Sequence, residues 1–274
     1  MIRRKLVAAI TLALGSGTGG LVSQTVFGAE PSPGCHLVSA GSATVKTIVD
    51  GDTVILGNGY QVRLVGIQAP KLPLGRKNYP TWPLAPEAKA ALSDLTLGKT
   101  VELRYGGERE DRHGRRLAHL FVGEEKTWVQ GEMVGQGLAR TYSFYDNRSC
   151  VRKLQERESA ARNDSLGIWD LKYYRLRQAA DIEELLSLLN SFQLIEGRVT
   201  ETAMVRGRVF LNFGKNYRDD FTAVISPKDM RRFRDGPIDP MALKGKKIRV
   251  RGWLESHNGP SIDVTHPEQI EFLR

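Results

Sequence analysis

Cysteine is nearly absent from this chain: its 274 residues include two, Cys35 and Cys150. So low a count excludes a disulfide-dense miniprotein, and with no further ligands at short spacing it argues against a zinc site. Two arrangements stay open, one disulfide closing a long loop or two separate buried thiols. An exported chain favours the disulfide, worth about 4 to 5 kcal/mol in the chain-entropy model. Long hydrophobic runs are missing as well. The apolar run from Leu6 to Leu14 is too short to span a bilayer, and it follows the basic start Met1-Ile2-Arg3-Arg4-Lys5, with no acid before Glu30. This is the pattern of a secretory signal over residues 1–29, with cleavage near Gly28 or Ala29; Phe27 fits the small-residue rule poorly, and the alternative is an uncleaved anchor. The expected product is exported, periplasmic or secreted, and keeps no stable membrane span. His113 and His119 lack ligand spacing and are expected to be structural.

With 41% hydrophobic and 26% charged residues, the chain reads as globular, large enough for one large core or two small ones. Its formal net charge of +9 weakly favours an anionic partner, for which nucleic acid and an anionic membrane both qualify, the alternative being a basic protein with no special partner.

The most specific stretch is Val45 to Lys71. Val54 and Leu56, then Val62, Leu64 and Ile67, nearly alternate around the turn residues Gly57-Asn58-Gly59, which predicts a β-hairpin. Asp50-Gly51-Asp52-Thr53 opens it, and Arg63 lies in its second strand. A second arginine, Arg115, heads a turn-then-strand pattern in Asp111-Arg112-His113-Gly114-Arg115. The ordered set I-V-D-G-D-T, V-R-L-V-G-I-x-A-P, D-R-x-G-R-x-L-A and L-x-x-x-E-x-x-A-R, ending at Gly167-Ile168-Trp169, resembles the staphylococcal nuclease family over about residues 45–169. That resemblance implies an α+β fold: a five-stranded OB-type barrel with three helices that cleaves DNA and RNA with the help of Ca²⁺. It also implies Asp52 as a metal-binding aspartate, and Arg63 and Arg115 as the arginines that grip phosphate.

Two positions depart from the family pattern. Where the family usually reads G-I-D-A-P-E, with its Asp on the metal and its Glu as general base, this chain has Gly66-Ile67-Gln68-Ala69-Pro70-Lys71. A hard cation that wants several anionic oxygens loses most of its reason to bind. Gln68 offers only a neutral carbonyl oxygen as a degenerate second metal position. Lys71 stands in the general base's place, where it is expected to add to the phosphate contacts of Arg63 and Arg115 rather than to activate water. Binding of nucleic acid or nucleotide phosphates with hydrolysis lost or strongly reduced is therefore expected. The alternative is an active Ca²⁺-dependent phosphodiesterase that recruits Asp50, Asp111 or Glu87.

The rest of the chain supplies the frame. Leu72 to Leu84, with Tyr79 and Trp82 between prolines, reads as a loop that either stacks bases or plugs the core. Helices are expected after Pro86, from Trp128 to Leu138 and from Cys150 to Leu166, with Glu158 and Arg162 as a surface i,i+4 pair and Trp169 closing the core. The nuclease-like domain is thus placed at 36–170, followed by a helical linker at 171–192. Strands at 194–199, 209–213, 221–225, 247–254 and 269–273 predict a second small OB-like β-domain over 193–274. Within it Lys247, Arg249, Arg251 and Trp253 alternate with Ile248 and Val250. They form either a nucleic-acid face, with Arg231, Arg232 and Arg234 nearby and Phe213 or Tyr217 to stack bases, or an ordinary solvated strand face.

Overall fold

Thirteen residues, Val38–Asp50, make the long first strand β1, which bends so that its two halves pair with different neighbours. The computed structural model describes residues 35–234 and 236–273, so the secretory segment expected at 1–29 lies outside the described residues. The second half of β1 pairs antiparallel with β2 (Thr53–Leu56), which turns back into β3 (Gln61–Leu64). Its first half pairs with β5 (Thr100–Tyr105), which pairs with β6 (Arg116–Val122). A parallel pairing of β3 with β6 closes these five strands into a barrel. Between β3 and β5 lie the two-residue β4 (Ile67–Gln68) and helix α1 (Ala85–Thr96), and after β6 come β7 (Thr127–Trp128), α2 (Val129–Gly135), β8 (Arg140–Thr141) and α3 (Val151–Asn163).

The core of this barrel follows the strand alternation: Val54, Leu56, Val62, Leu64, Ala118 and Leu120 point inward and are buried. Leu92 of α1, Met133 of α2 and Leu154 of α3 cover its open side in the same cluster. Cys35 and Cys150 are joined by a disulfide that ties the segment before β1 to the start of α3.

The second β-domain repeats the same pairing scheme. Strands β10 (Ser191–Arg198) and β11 (Glu201–Val205) divide one bent path, pairing with β14 (Lys247–Ser256) and β12 (Arg208–Asn212) respectively. Strand β13 (Thr222–Ile225) pairs antiparallel with β12 and parallel with β15 (Pro260–Asp263), as β3 does with β2 and β6. The short β16 (Ile270–Phe272) adds to β14. Strands β11 and β15 carry too little alternation to be visible in the sequence, which is why five strands were expected here.

The segment expected to be a linker is instead part of this second domain. It contains β9 (Arg177–Gln178), which pairs parallel with β10, and α4 (Ile182–Ser187). Ala179 and Leu185 sit in the second core, so the apolar stripe of the segment is buried within that domain. No helix among the described residues is long and apolar enough to cross a membrane.

Candidate functional site

The turn from β1 into β2 positions two carboxylates. Gly51 between them is required by packing, since a Cβ there would come within 2.7 Å of the Ala69 Cβ and 2.8 Å of the Ala88 Cβ. The Asp52 backbone N–H donates to Asp50 Oδ1 at 3.1 Å, which fixes the pair. Asp52 is fully buried, and its Oδ2 accepts from the Ala69 N–H at 2.8 Å. Arg63, opposite Thr53 on β3, places Nη1 3.1 Å from Asp52 Oδ1. The same guanidinium donates to the carbonyls of Leu64 at 2.9 Å and Ile67 at 2.7 Å.

Lys71 completes the cluster. Its ammonium lies 2.7 Å from Asp52 Oδ1 and 2.6 Å from Asp52 Oδ2, and 3.4 Å from Asp50 Oδ2. Two carboxylates and two cations therefore face one another. Burial pushes the Asp52 carboxyl up, but Arg63 and Lys71 outweigh it and hold the group near pKa 2, down from 3.8. Asp50 moves the other way, raised by burial and by the neighbouring Asp52 charge.

The side-chain oxygen of Gln68 is also taken. Arg140 on β8 pairs with Gln68 on β4, and its Nε and Nη2 donate to Gln68 Oε1 at 3.0 and 2.7 Å. No carboxylate forms an ion pair with Arg140 among the described residues. Its guanidinium instead lies 4.7 Å from the Phe192 ring centroid and about 6 Å from those of Tyr174 and Trp82. Burial lowers its pKa to about 10. Nothing local in the sequence marks Arg140; the one indirect pointer is that a buried Gln needs a donor.

These contacts decide whether a hard dication fits. Both Asp52 oxygens are engaged by Lys71, and further by Arg63 and Ala69 N, while Gln68 Oε1 accepts two N–H groups from a cation. A dication prefers several anionic oxygens free to coordinate, so this donor set does not suit Ca²⁺. Among the described residues no group of three or more His, Cys, Asp or Glu is arranged to hold a metal.

Arg115 is held by a carboxylate outside the cluster. Its Nε donates to Asp111 Oδ2 at 2.8 Å, and Asp111 Oδ1 accepts the backbone N–H groups of His113 and Arg115. The parallel register sets Arg63 beside Leu117, while Arg115 lies just before β6, and the two arginines are held by different carboxylates. Asp111 is thus committed to Arg115, and Glu87 is exposed in the first turn of α1. In the loop after the site, Tyr79 and Trp82 stack with centroids 6.4 Å apart. His119 is buried, accepts from Trp128 Nε1 at 3.2 Å and is pushed down to about 3 by burial, which keeps it neutral.

Two expectations about surface charges are corrected. Glu158 is not a surface residue: it is fully buried, accepts from the Thr141 N–H at 2.7 Å and pairs with Arg251 at 2.6 Å, with Arg162 at 3.6 Å. Arg249 and Arg251 do not form an exposed nucleic-acid face either. They are 7% and 1% exposed, and they pair with Glu196 and Glu271 and with Glu158 and Glu271 respectively. Arg251 reaches the first barrel, pairing with Glu158 of α3 and donating to the Thr141 carbonyl of β8 at 3.1 Å, while Arg249 is paired within the second domain and Lys247 is exposed. Trp253 alone of the three is open, 45% exposed, with Nε1 donating to Tyr142 Oη at 2.9 Å. Phe213 is buried in the second core, whereas Tyr217 is exposed.

A closed five-stranded barrel with covering helices defines an OB-type fold, one that carries many different functions. Comparison with known proteins is specific. The profile of the family described as Staphylococcal nuclease homologue matches residues 61–171. A thermonuclease of Staphylococcus intermedius is 32% identical over 136 residues, covering 47% of this chain and 76% of that protein. A thermonuclease of Staphylococcus hyicus is 27% identical, covering 51% of this chain and 83% of that protein. Endonuclease YncB of Bacillus subtilis is 28% identical over 138 residues, covering 48% of this chain and 64% of that protein. The chain belongs to the staphylococcal nuclease family.

Proposed function

We propose that this chain is an exported member of the family that binds nucleic acid or nucleotide phosphates and has lost efficient hydrolysis. The observation that carries this reading is the Lys71 ammonium, held 2.6 and 2.7 Å from the two oxygens of Asp52. A fixed monovalent cation there balances the carboxylates without a metal, and no carboxylate stands at position 71 to take a proton from water. Arg115, about one third exposed at its side chain, is the main phosphate contact, while Arg63 and Lys71 supply positive potential from behind. The disulfide supports the exported setting.

A second reading, an altered phosphodiesterase, keeps one usable acid. Of Asp50, Asp111 and Glu87, only Asp50 lies in the cluster, and its raised pKa suits proton transfer. A nuclease gel assay on single-stranded DNA and RNA with Ca²⁺, run beside a binding titration with labelled oligonucleotide, separates the two. The proposal expects Ca²⁺-independent, salt-sensitive binding and no cleavage above background. Cleavage that disappears in Asp50→Asn establishes the second reading.

A further inference from the structure

At the opposite end of β2 from the Asp52 turn, the first barrel has an open mouth. A cavity of about 350 Å³ lies there, lined in part by Ser42, Asn58, Tyr60, Tyr105, Arg109 and Arg116. None of the residues around Asp52 and Gln68 takes part in it.

Strand alternation makes the lining unusual. Ala118 and Leu120 of β6 point into the core, so Arg116 points the same way at the mouth, beside Val62 in the register. By the same parity Tyr105 continues Val101 and Leu103, and Tyr60 continues Val62 and Leu64. Three inward positions that an ordinary barrel would fill with aliphatic side chains thus carry two tyrosines and an arginine. The guanidinium of Arg116 lies 4.7 Å from the centroid of the Tyr60 ring, and that of Arg109 lies 5.3 Å from the centroid of Tyr105.

The charge is only partly balanced. Arg116 has Glu110 at 3.2 Å, itself about half exposed, while Arg109 makes no ion pair with a carboxylate among the described residues. The wall opposite is opened by a register shift in the β1–β5 pairing between Ser39 and Ser42, where Gly41 adopts φ 90° and a Cβ would meet nothing within 4 Å. Bulges of this kind occur at barrel rims beside binding sites, and mouths of barrels are favoured places for small ligands.

We infer that this mouth is a second, independent binding site for a phosphorylated nucleoside. The base stacks on the exposed face of Tyr60, Arg109 takes the phosphate, and Asn58 and Ser42 offer hydrogen bonds at the rim. The volume stands near the lower end of ligand pockets, about 300 to 1,000 Å³, which suits one nucleotide rather than a longer strand segment. Stacked arginine and tyrosine pairs with a net positive charge recognise a planar group and an anion together.

The test is a titration of the isotope-labelled full protein with adenosine monophosphate and, separately, inorganic phosphate, following the ring resonances of Tyr60 and Tyr105. Saturable shifts at both tyrosines are expected with the nucleotide. Affinity should stay within about twofold of wild type in Arg115→Ala, which removes the main phosphate contact of the first site, and fall about tenfold or more in Arg109→Ala and in Tyr60→Ala, with Tyr60→Phe close to wild type. Inorganic phosphate should bind about tenfold more weakly than the nucleotide. The inference is overturned by shifts that stay linear to about 10 mM nucleotide. It is overturned equally by loss of the shifts in Arg115→Ala, or by phosphate binding as tightly as the nucleotide.

Discussion

Replacing Lys71 by Glu perturbs the centre of the cluster most directly. In the wild type, Asp50 and Asp52 face Arg63 and Lys71; in Lys71→Glu three carboxylates face Arg63 alone. Asp52 is fully buried, so replacing its closest cation with a third carboxylate leaves Arg63 as the single cation of a buried acid cluster, which costs about 3 to 5 kcal/mol. For a chain of this size each kcal/mol moves Tm by about 2 to 4 °C, so a fall of roughly 6 to 20 °C is expected by calorimetry. Adding Gln68→Asp does not by itself rebuild a metal site. Arg140 already donates two N–H groups to position 68 and will claim the new carboxylate. A triple variant, Gln68→Asp with Lys71→Glu and Arg140→Lys, frees it, and Ca²⁺ at about 100 times its Kd should then return about 2.7 kcal/mol of stability. The wild-type Tm should not respond to Ca²⁺. A wild type stabilised by Ca²⁺ as much as the triple variant, or a Lys71→Glu protein as stable as wild type, would refute the reasoning.

Acid should weaken the fold through Asp52. Its folded pKa is depressed from 3.8 to about 2, so its contribution is present above pH 4, is lost as pH falls through about 2, and amounts to about 2 kcal/mol. Asp50 has the opposite sign, its raised pKa giving stability at low pH that is lost as pH rises; acid unfolding of Asp52→Asn and Asp50→Asn should therefore shift in opposite directions. Arg251→Met strands the buried Glu158 and should cost about 3 to 5 kcal/mol by chemical denaturation, with an unchanged midpoint counting against the buried network. Reducing the Cys35–Cys150 disulfide, which spans 115 residues, should cost about 4 to 5 kcal/mol, and a loss near zero would place the ordering elsewhere.

The first barrel was legible through its resemblance to a known family, carried by ordered motifs in short alternating strands and turns; spacing alone predicted only the hairpin. The contacts of the site were less so. Gln68 and Lys71 announce a loss of acid, but the residue that answers Gln68 is Arg140, 72 positions away, and no periodicity connects them. Alternation on β14 correctly put Arg249 and Arg251 on one face. It did not tell whether that face met water or another domain, and the partner Glu158 lies 93 residues from Arg251. Glu158 and Arg162 at i,i+4 fit a solvated helix pair equally well, because spacing along a helix says nothing of what packs over it. The supposed linker misled for the same reason: its leucine stripe needed a core, and that core is built by strands later in the chain.

In the proposed function, Lys71 takes the place of a metal ion beside Asp52. Isothermal titration of Ca²⁺ into the wild-type protein and into Asp52→Ala tests it most directly. No saturable heat in either protein is the predicted result. A wild-type isotherm that saturates at millimolar Ca²⁺ or below, and that Asp52→Ala abolishes, would contradict it.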